Sequence, residues 1–159
     1  MSRTFTRRAS AQPQAGPSYE ADAYSWAFRQ AQLLREGRFH EADIANIAEE
    51  IESLGRSERS TLRSFAARVI QHMLKWDYQP ERRTRSWRTS IEIHRLHAKQ
   101  QLAENPGLKS QLPAILAEAY ELGIAFAMDE PDLERTAFPA RCPYDWDEMM
   151  SRPIADAEP

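Results

Sequence analysis

Apolar residues recur along most of this chain at alternating steps of three and four, as they do in helices that bury one face. The first run begins near Glu20–Asp22, with Asp22 placed as a cap. It carries Tyr24, Ala27, Phe28, Ala31 and Leu34 at helical spacing. Gly37, just past Arg35 and Glu36, stands where a helix C-terminal cap belongs. After a turn through Arg38, Phe39 and His40, Asp43 can cap a second run with Ile44, Ile47, Ala48, Ile51 and Leu54 on one face. Gly55 then invites a stop, and Ser57 can cap a fresh helix from Glu58. Yet the pattern crosses Gly55 in phase. Ala48, Ile51, Gly55, Glu58, Leu62, Phe65, Val69, His72 and Trp76 keep the seam spacing of one helix in a left-handed bundle. A mid-helix glycine costs about 1 kcal/mol relative to alanine, which a long packed seam absorbs. The favoured reading is one helix from about Asp43 to Tyr78.

Pro80 ends that helix, since the residue before a proline avoids helical geometry. Thr84 or Ser86 can cap a third helix reaching Asn105, with Trp87, Ile91, His94, Ala98 and Gln101 or Leu102 inward. Asn105–Pro106–Gly107 is a break. A fourth helix follows, with Leu112, Ile115, Leu116, Ala119, Leu122, Gly123 and Phe126 as its stripe and Pro113 confined to its first turn. Beyond Met128 the chain is acidic and irregular until Cys142. Pro143 at a first helical position then starts a short helix with Trp146, Met149 and Met150. Short connections make successive helices antiparallel. The expected fold is therefore all-α, an antiparallel up-and-down four-helix bundle with a short C-terminal helix. Residues 19–151 are expected to form one domain, with a disordered tail over 1–18 and a disordered C-terminus over 152–159. The tail has Arg3, Arg7 and Arg8 and no acid, as transit peptides do, but Pro13, Gly16, Pro17 and the missing apolar face favour a plain tail.

Composition adds limits. With 159 residues the chain can bury one sizeable core, and only five glycines in an Ala-, Leu-, Glu- and Arg-rich sequence favour helix over sheet. Cys142 is the sole cysteine, so no intrachain disulfide forms and a reducing, cytoplasmic setting is expected. No apolar run approaches the roughly 18 residues of a membrane span. The net charge of −3 hides a strong polarity: residues 1–55 carry −2, residues 56–99 carry +7 and residues 100–159 carry −8. The basic middle can face a partner, or the acidic last third can pack against it.

Three motifs stand out: EEIESLGRSER (Glu49–Arg59), HMLKWDYQPERRTRSWR (His72–Arg88) and FPARCPYDW (Phe138–Trp146). In order and spacing they resemble a bacterial family catalogued as domain of unknown function 29, over about Tyr19 to Met150. The resemblance implies a compact, cytosolic, all-helical protein and carries no activity with it. Glu49, Glu50, Glu52, His72, Trp76, Arg82, Arg83, Trp87 and Arg88 match the family pattern. Ile93 and His94 depart from it, standing where members usually carry acid and amide residues, so a mechanism requiring His94 is not supported by the resemblance.

The candidate chemistry falls into three groups. His72 on the seam, with His94 or His97 from the third helix and a carboxylate from elsewhere, is the candidate ligand set for a divalent metal and a metal-assisted enzyme. Glu58 cannot share an ion with His72, because fourteen residues of helix separate them by about 21 Å. Without a metal, His72 is a core histidine hydrogen-bonded to a carboxylate or carbonyl. Glu49, Glu50 and Glu52 form an acidic cluster that can hold a cation or receive arginines of the third helix, and Glu52 can pair with Arg56. Arg82, Arg83, Arg85 and Arg88 with Trp76, Tyr78 and Trp87 can grip phosphates and stack on a ligand, or can pin the second helix to the third. A pI near 5.8 argues against nonspecific nucleic-acid binding. Cys142 precedes Pro143 with no base nearby, and no phosphate-cradling glycine loop, serine elbow or zinc-spaced cysteine pair occurs. The sequence thus favours a non-enzymatic binding module with an Arg/Trp-rich corner. Its partner is expected to be a protein or a phosphate-bearing ligand, and self-association through a bundle face is a further outcome.

Overall fold

The computed structural model describes residues 16–129 and 133–155; the expected disordered tail therefore lies, up to residue 15, outside the described residues. Among these the chain is all-α, as the periodicity predicts. Five α-helices follow one another: α1 (Ala23–Arg35), α2 (Ile44–Tyr78), α3 (Arg85–Glu104), α4 (Leu112–Ala127) and the short α5 (Trp146–Ser151). Short 3-10 segments join several of them, and no strand occurs among the described residues. The second helix runs without interruption through Gly55, the reading that the seam spacing favoured. The chain divides between Ser53 and Leu54 into two compact units.

In the first unit Asp22 caps α1, accepting a hydrogen bond from the Ser25 amide (3.0 Å), and Gly37 adopts the left-handed conformation (φ 71°) after its end. The buried face of α1 is not the expected one. Trp26, Gln30 and Leu33 are buried, while Tyr24 and Phe28 stack on each other at 75% and 63% exposure. Two stripes compete on this helix, and polar anchoring selects between them. Trp26 Nε1 donates to Asp43 (3.3 Å), Gln30 Oε1 accepts the Asp43 amide (2.8 Å), and the Tyr19 ring packs edge-on to Trp26. Asp43 in turn caps α2, accepting from the Asn46 amide (3.3 Å) and side chain (2.7 Å).

In the second unit, pairs of contacts fix the helix directions. Glu58 meets Gln101, Phe65 meets His97 and Lys75 meets Trp87, so α2 and α3 run antiparallel. Arg59 meets Glu118, Ile70 meets Gly123 and Gln71 meets Phe126, so α2 and α4 run in the same direction. The core gathers Leu62, Ile70 and Met73 of α2, Ile91 and Ala98 of α3, Ile115, Tyr120 and Ile124 of α4, and Met149 of α5. From Leu62 onward α2 is buried on far more than a seam, because α3 and α4 both flank it. Its earlier seam positions, Ala48, Ile51 and Gly55, are exposed. Thr84 caps α3 through the Trp87 amide (3.2 Å), and Pro113 sits in the first turn of α4 as expected. α5 starts three residues later than Pro143, because Asp145 supplies the cap to the Glu148 amide (2.8 Å). Beyond Ser151, Arg152 is tied to Asp77 at 2.9 and 3.0 Å, and residues 156–159 of the expected C-terminal tail lie outside the described residues.

Candidate binding corner

The corner where α2 gives way to α3 is built from one face of the last turns of α2. His72, Lys75, Trp76 and Gln79 fall at helical steps of three and four, and the last three of these are buried. Pro80 opens a 3-10 turn through Arg82, which returns the chain to the Thr84 cap. The two tryptophans are used by the protein itself. Arg83 Nε donates to the Trp76 carbonyl (2.9 Å), and its guanidinium lies 5.2 Å from the Trp76 ring centre. The Lys75 ammonium sits 4.2 Å from the Trp87 ring centre, so a buried cation faces a π surface rather than bulk water. Arg88 pairs with Glu92 one turn along α3 (3.1 Å), while Arg82 and Arg85 are exposed. Lys75, Arg82 and Arg88 are each engaged in further interactions of their own.

A second set of residues, unmarked by spacing, locks this corner from behind. Tyr144 Oη donates to Asp77 Oδ2 (2.8 Å), and Arg152 forks onto both oxygens of the same carboxylate. Burial, reinforced by the Asp77 carboxylate, pushes the Tyr144 phenol well above its ordinary range. Phe138 meets Tyr78 edge to face at 5.3 Å. Arg95 of α3 donates to the carbonyls of Met149 (2.6 Å) and Arg152 (2.9 Å), satisfying a half-buried guanidinium with neutral acceptors. The motifs His72–Arg88 and Phe138–Trp146 therefore meet in space. Asp77, Arg95, Tyr144 and Arg152 were not singled out from sequence; the one available signal was that Asp77 and Tyr144 lie inside the two motifs.

His72 is half-buried, and its Nδ1 has no hydrogen-bond partner among the described residues. Burial, helped by the charges of Lys75, His94 and Arg68, pulls its pKa down to about 4. His94 is likewise pulled down by burial and its Nδ1 is also unpartnered. Phe65 packs on His97 at 5.1 Å, and His97 lies 6.2 Å from His94. Among the described residues no three His, Cys, Asp or Glu side chains gather where they could hold an ion. Glu58 instead accepts from Gln101 (2.6 Å) and Asn105 (3.2 Å), tying α2 to the end of α3.

The acidic cluster lies in the first unit. Glu49, Glu50 and Glu52 are all exposed, and Glu50 accepts a hydrogen bond from Tyr19 Oη. The Cys142 thiol is half-buried, raised by that burial, and donates to the Tyr144 carbonyl (3.3 Å), a packing role within the C-terminal segment.

Residues 18–153 match the family model described as Domain of unknown function DUF29. The chain belongs to that family. The match spans both units and all three motifs, so the corner and the segment that locks it are parts of one DUF29 domain. No curated protein and no solved structure matches the chain. No helix among the described residues is long and apolar enough to cross a membrane.

Proposed function

We propose that this DUF29 protein is a cytoplasmic, non-enzymatic binding module whose contacts lie on the arginine fringe from Arg82 to Arg88. The observation that carries the reading is the division of labour within the corner. Trp76, Trp87 and Lys75 are consumed in fixing α2 to α3, yet the turn they fix presents Arg82, Arg83 and Arg85 on the outside. A rigid turn with several cations is costly to assemble for packing alone, because like charges repel. At Nδ1 neither His72 nor His94 has a hydrogen-bond partner among the described residues that would orient its ring as a general base.

The test replaces Arg82, Arg83 and Arg88 by alanine together. The wild-type chain should retain a stoichiometric partner on affinity purification, and the triple variant should lose it with unchanged far-ultraviolet circular dichroism. Collapse of helicity in the variant would assign the arginines to the fold instead.

A further inference from the structure

In its first third α2 carries an apolar stripe that faces water. Every residue from 48 to 57 is exposed, so nearly three turns of helix show solvent on each side. Ile47, Ile51 and Leu54 follow one another at steps of four and three, with Ala48 and Gly55 beside them on the same face. Ile51 is 66% exposed and Leu54 63%. Helices in proteins draw most of their stability from packing such a stripe. Further along the same helix Leu62, Val69 and Met73 are wholly buried.

Gly55 is a second, independent sign. Glycine is disfavoured inside a helix unless something must come close to it. At Gly123 that something is Ile70 with the Ala67 carbonyl, which a β-carbon would strike. A β-carbon at Gly55 would meet nothing within 4 Å. Packing within the described residues therefore gives no reason for glycine at 55, whereas a further helix crossing there at short range does.

The charges beside the stripe select the occupant. Glu52, Arg56 and Arg59 lie on the same side of it as Ala48 and Gly55, and Glu50 lies on the other. A second copy of α2 running antiparallel would set like sides against each other. Ile51 over Leu54 of that copy would then put Ala48 near its Gly55 and Glu52 alongside its Arg56 and Arg59. A parallel copy would set unlike sides together and bring Glu52 onto Glu50, acid against acid. Glu52, Arg56 and Arg59 are already engaged, Arg59 with Glu118, and the antiparallel contact adds a partner to each.

We infer that this stripe is where two copies of the chain associate, antiparallel about a two-fold axis, with Ile51 of each on Leu54 of the other. The contact makes no use of the arginine fringe and stands or falls independently of it. Two exposed stretches of this length bury well under the roughly 1,600 Å² of a standard interface, so the dimer is weak and depends on concentration.

Sedimentation velocity of the full chain from about 1 to about 500 µM is the test. A monomer–dimer equilibrium with a Kd on the order of 10–100 µM is expected. Ile51→Glu and Leu54→Glu, both at exposed helical positions, should each weaken the dimer about tenfold or more with unchanged far-ultraviolet circular dichroism. Gly55→Ala should raise the melting temperature of the monomer yet weaken the dimer, a divergence that a glycine serving only the monomer would not give. Glu52→Arg and Arg56→Glu should each weaken self-association. An equimolar mixture of those two variants should restore it, because acid then faces base across the axis while each chain still carries like charges at 52 and 56. A chain that stays monomeric to about 500 µM overturns the inference, as does a dimer that Ile51→Glu and Leu54→Glu leave unchanged. A mixture that fails to associate overturns the antiparallel arrangement. A monomer that retains a different protein, lost on Ile51→Glu, gives the stripe to that partner and overturns self-association.

Discussion

At position 123 a single hydrogen atom decides how close α4 comes to α2. A β-carbon there would lie 2.7 Å from Ile70 Cγ2 and 3.1 Å from the Ala67 carbonyl oxygen, inside the distances that atoms tolerate. Gly123→Ala should therefore destabilise the fold by about 1–3 kcal/mol despite alanine's better helix propensity, read as a lower urea midpoint at unchanged slope. The helical stripe already contained Gly123, but spacing alone does not show that a neighbour's backbone touches it. His72 makes the second prediction at this scale. Its folded pKa, about 4, lies below the ordinary value near 6.5, so the unfolded chain takes up the proton first. Stability contributed by neutral His72 is full above pH 6.5 and is lost as pH falls from there towards 4. Allowing for partial solvent access, the loss should be about 1–2 kcal/mol. His72→Gln should flatten the melting temperature across that window, and an equally steep fall in the variant would move the effect to His94 or elsewhere.

Among the elements, the helices were legible because capping and periodicity are local. Asp22, Asp43 and Thr84 cap where their side chains allow, and Pro80 and Pro113 sit where a missing N–H is harmless. What could not be read was which face of α1 turns inward, since that depended on Trp26 and Gln30 reaching Asp43 from a distance in sequence. The C-terminal segment was likewise invisible as a partner of α2. Tyr144 and Arg152 share one oxygen of Asp77, so their contributions are coupled. Tyr144→Phe and Arg152→Ala should each cost about 1–2 kcal/mol, and a double-mutant cycle should return an interaction energy of about 0.5–1 kcal/mol. Strict additivity would show that the two contacts act independently.

For the whole molecule, charge polarity was easy to count and harder to interpret. Part of the acidic last third does pack on the basic middle. Glu118 of α4 takes Arg59 at 2.7 Å and Arg63 at 3.3 Å, and hydrogen bonding to Arg59 holds its carboxyl down to about 2. Arg152 and Asp77 reverse the pattern, a cation from the acidic segment on an acid of the basic one. The Arg/Trp block was legible as the distinctive stretch. Its split into spent tryptophans and outward arginines was not, because stacking geometry has no signature in residue order.

The Asp77 lock also has a place in time. Sixty-seven residues separate Asp77 from Tyr144 and seventy-five separate it from Arg152. On a ribosome adding about 5–20 residues per second, α2, α3 and α4 are all synthesised before either partner of Asp77 exists. During those seconds the sequence of all three helices is complete while Asp77 still lacks both partners, so the latch is the last part of the fold that synthesis supplies.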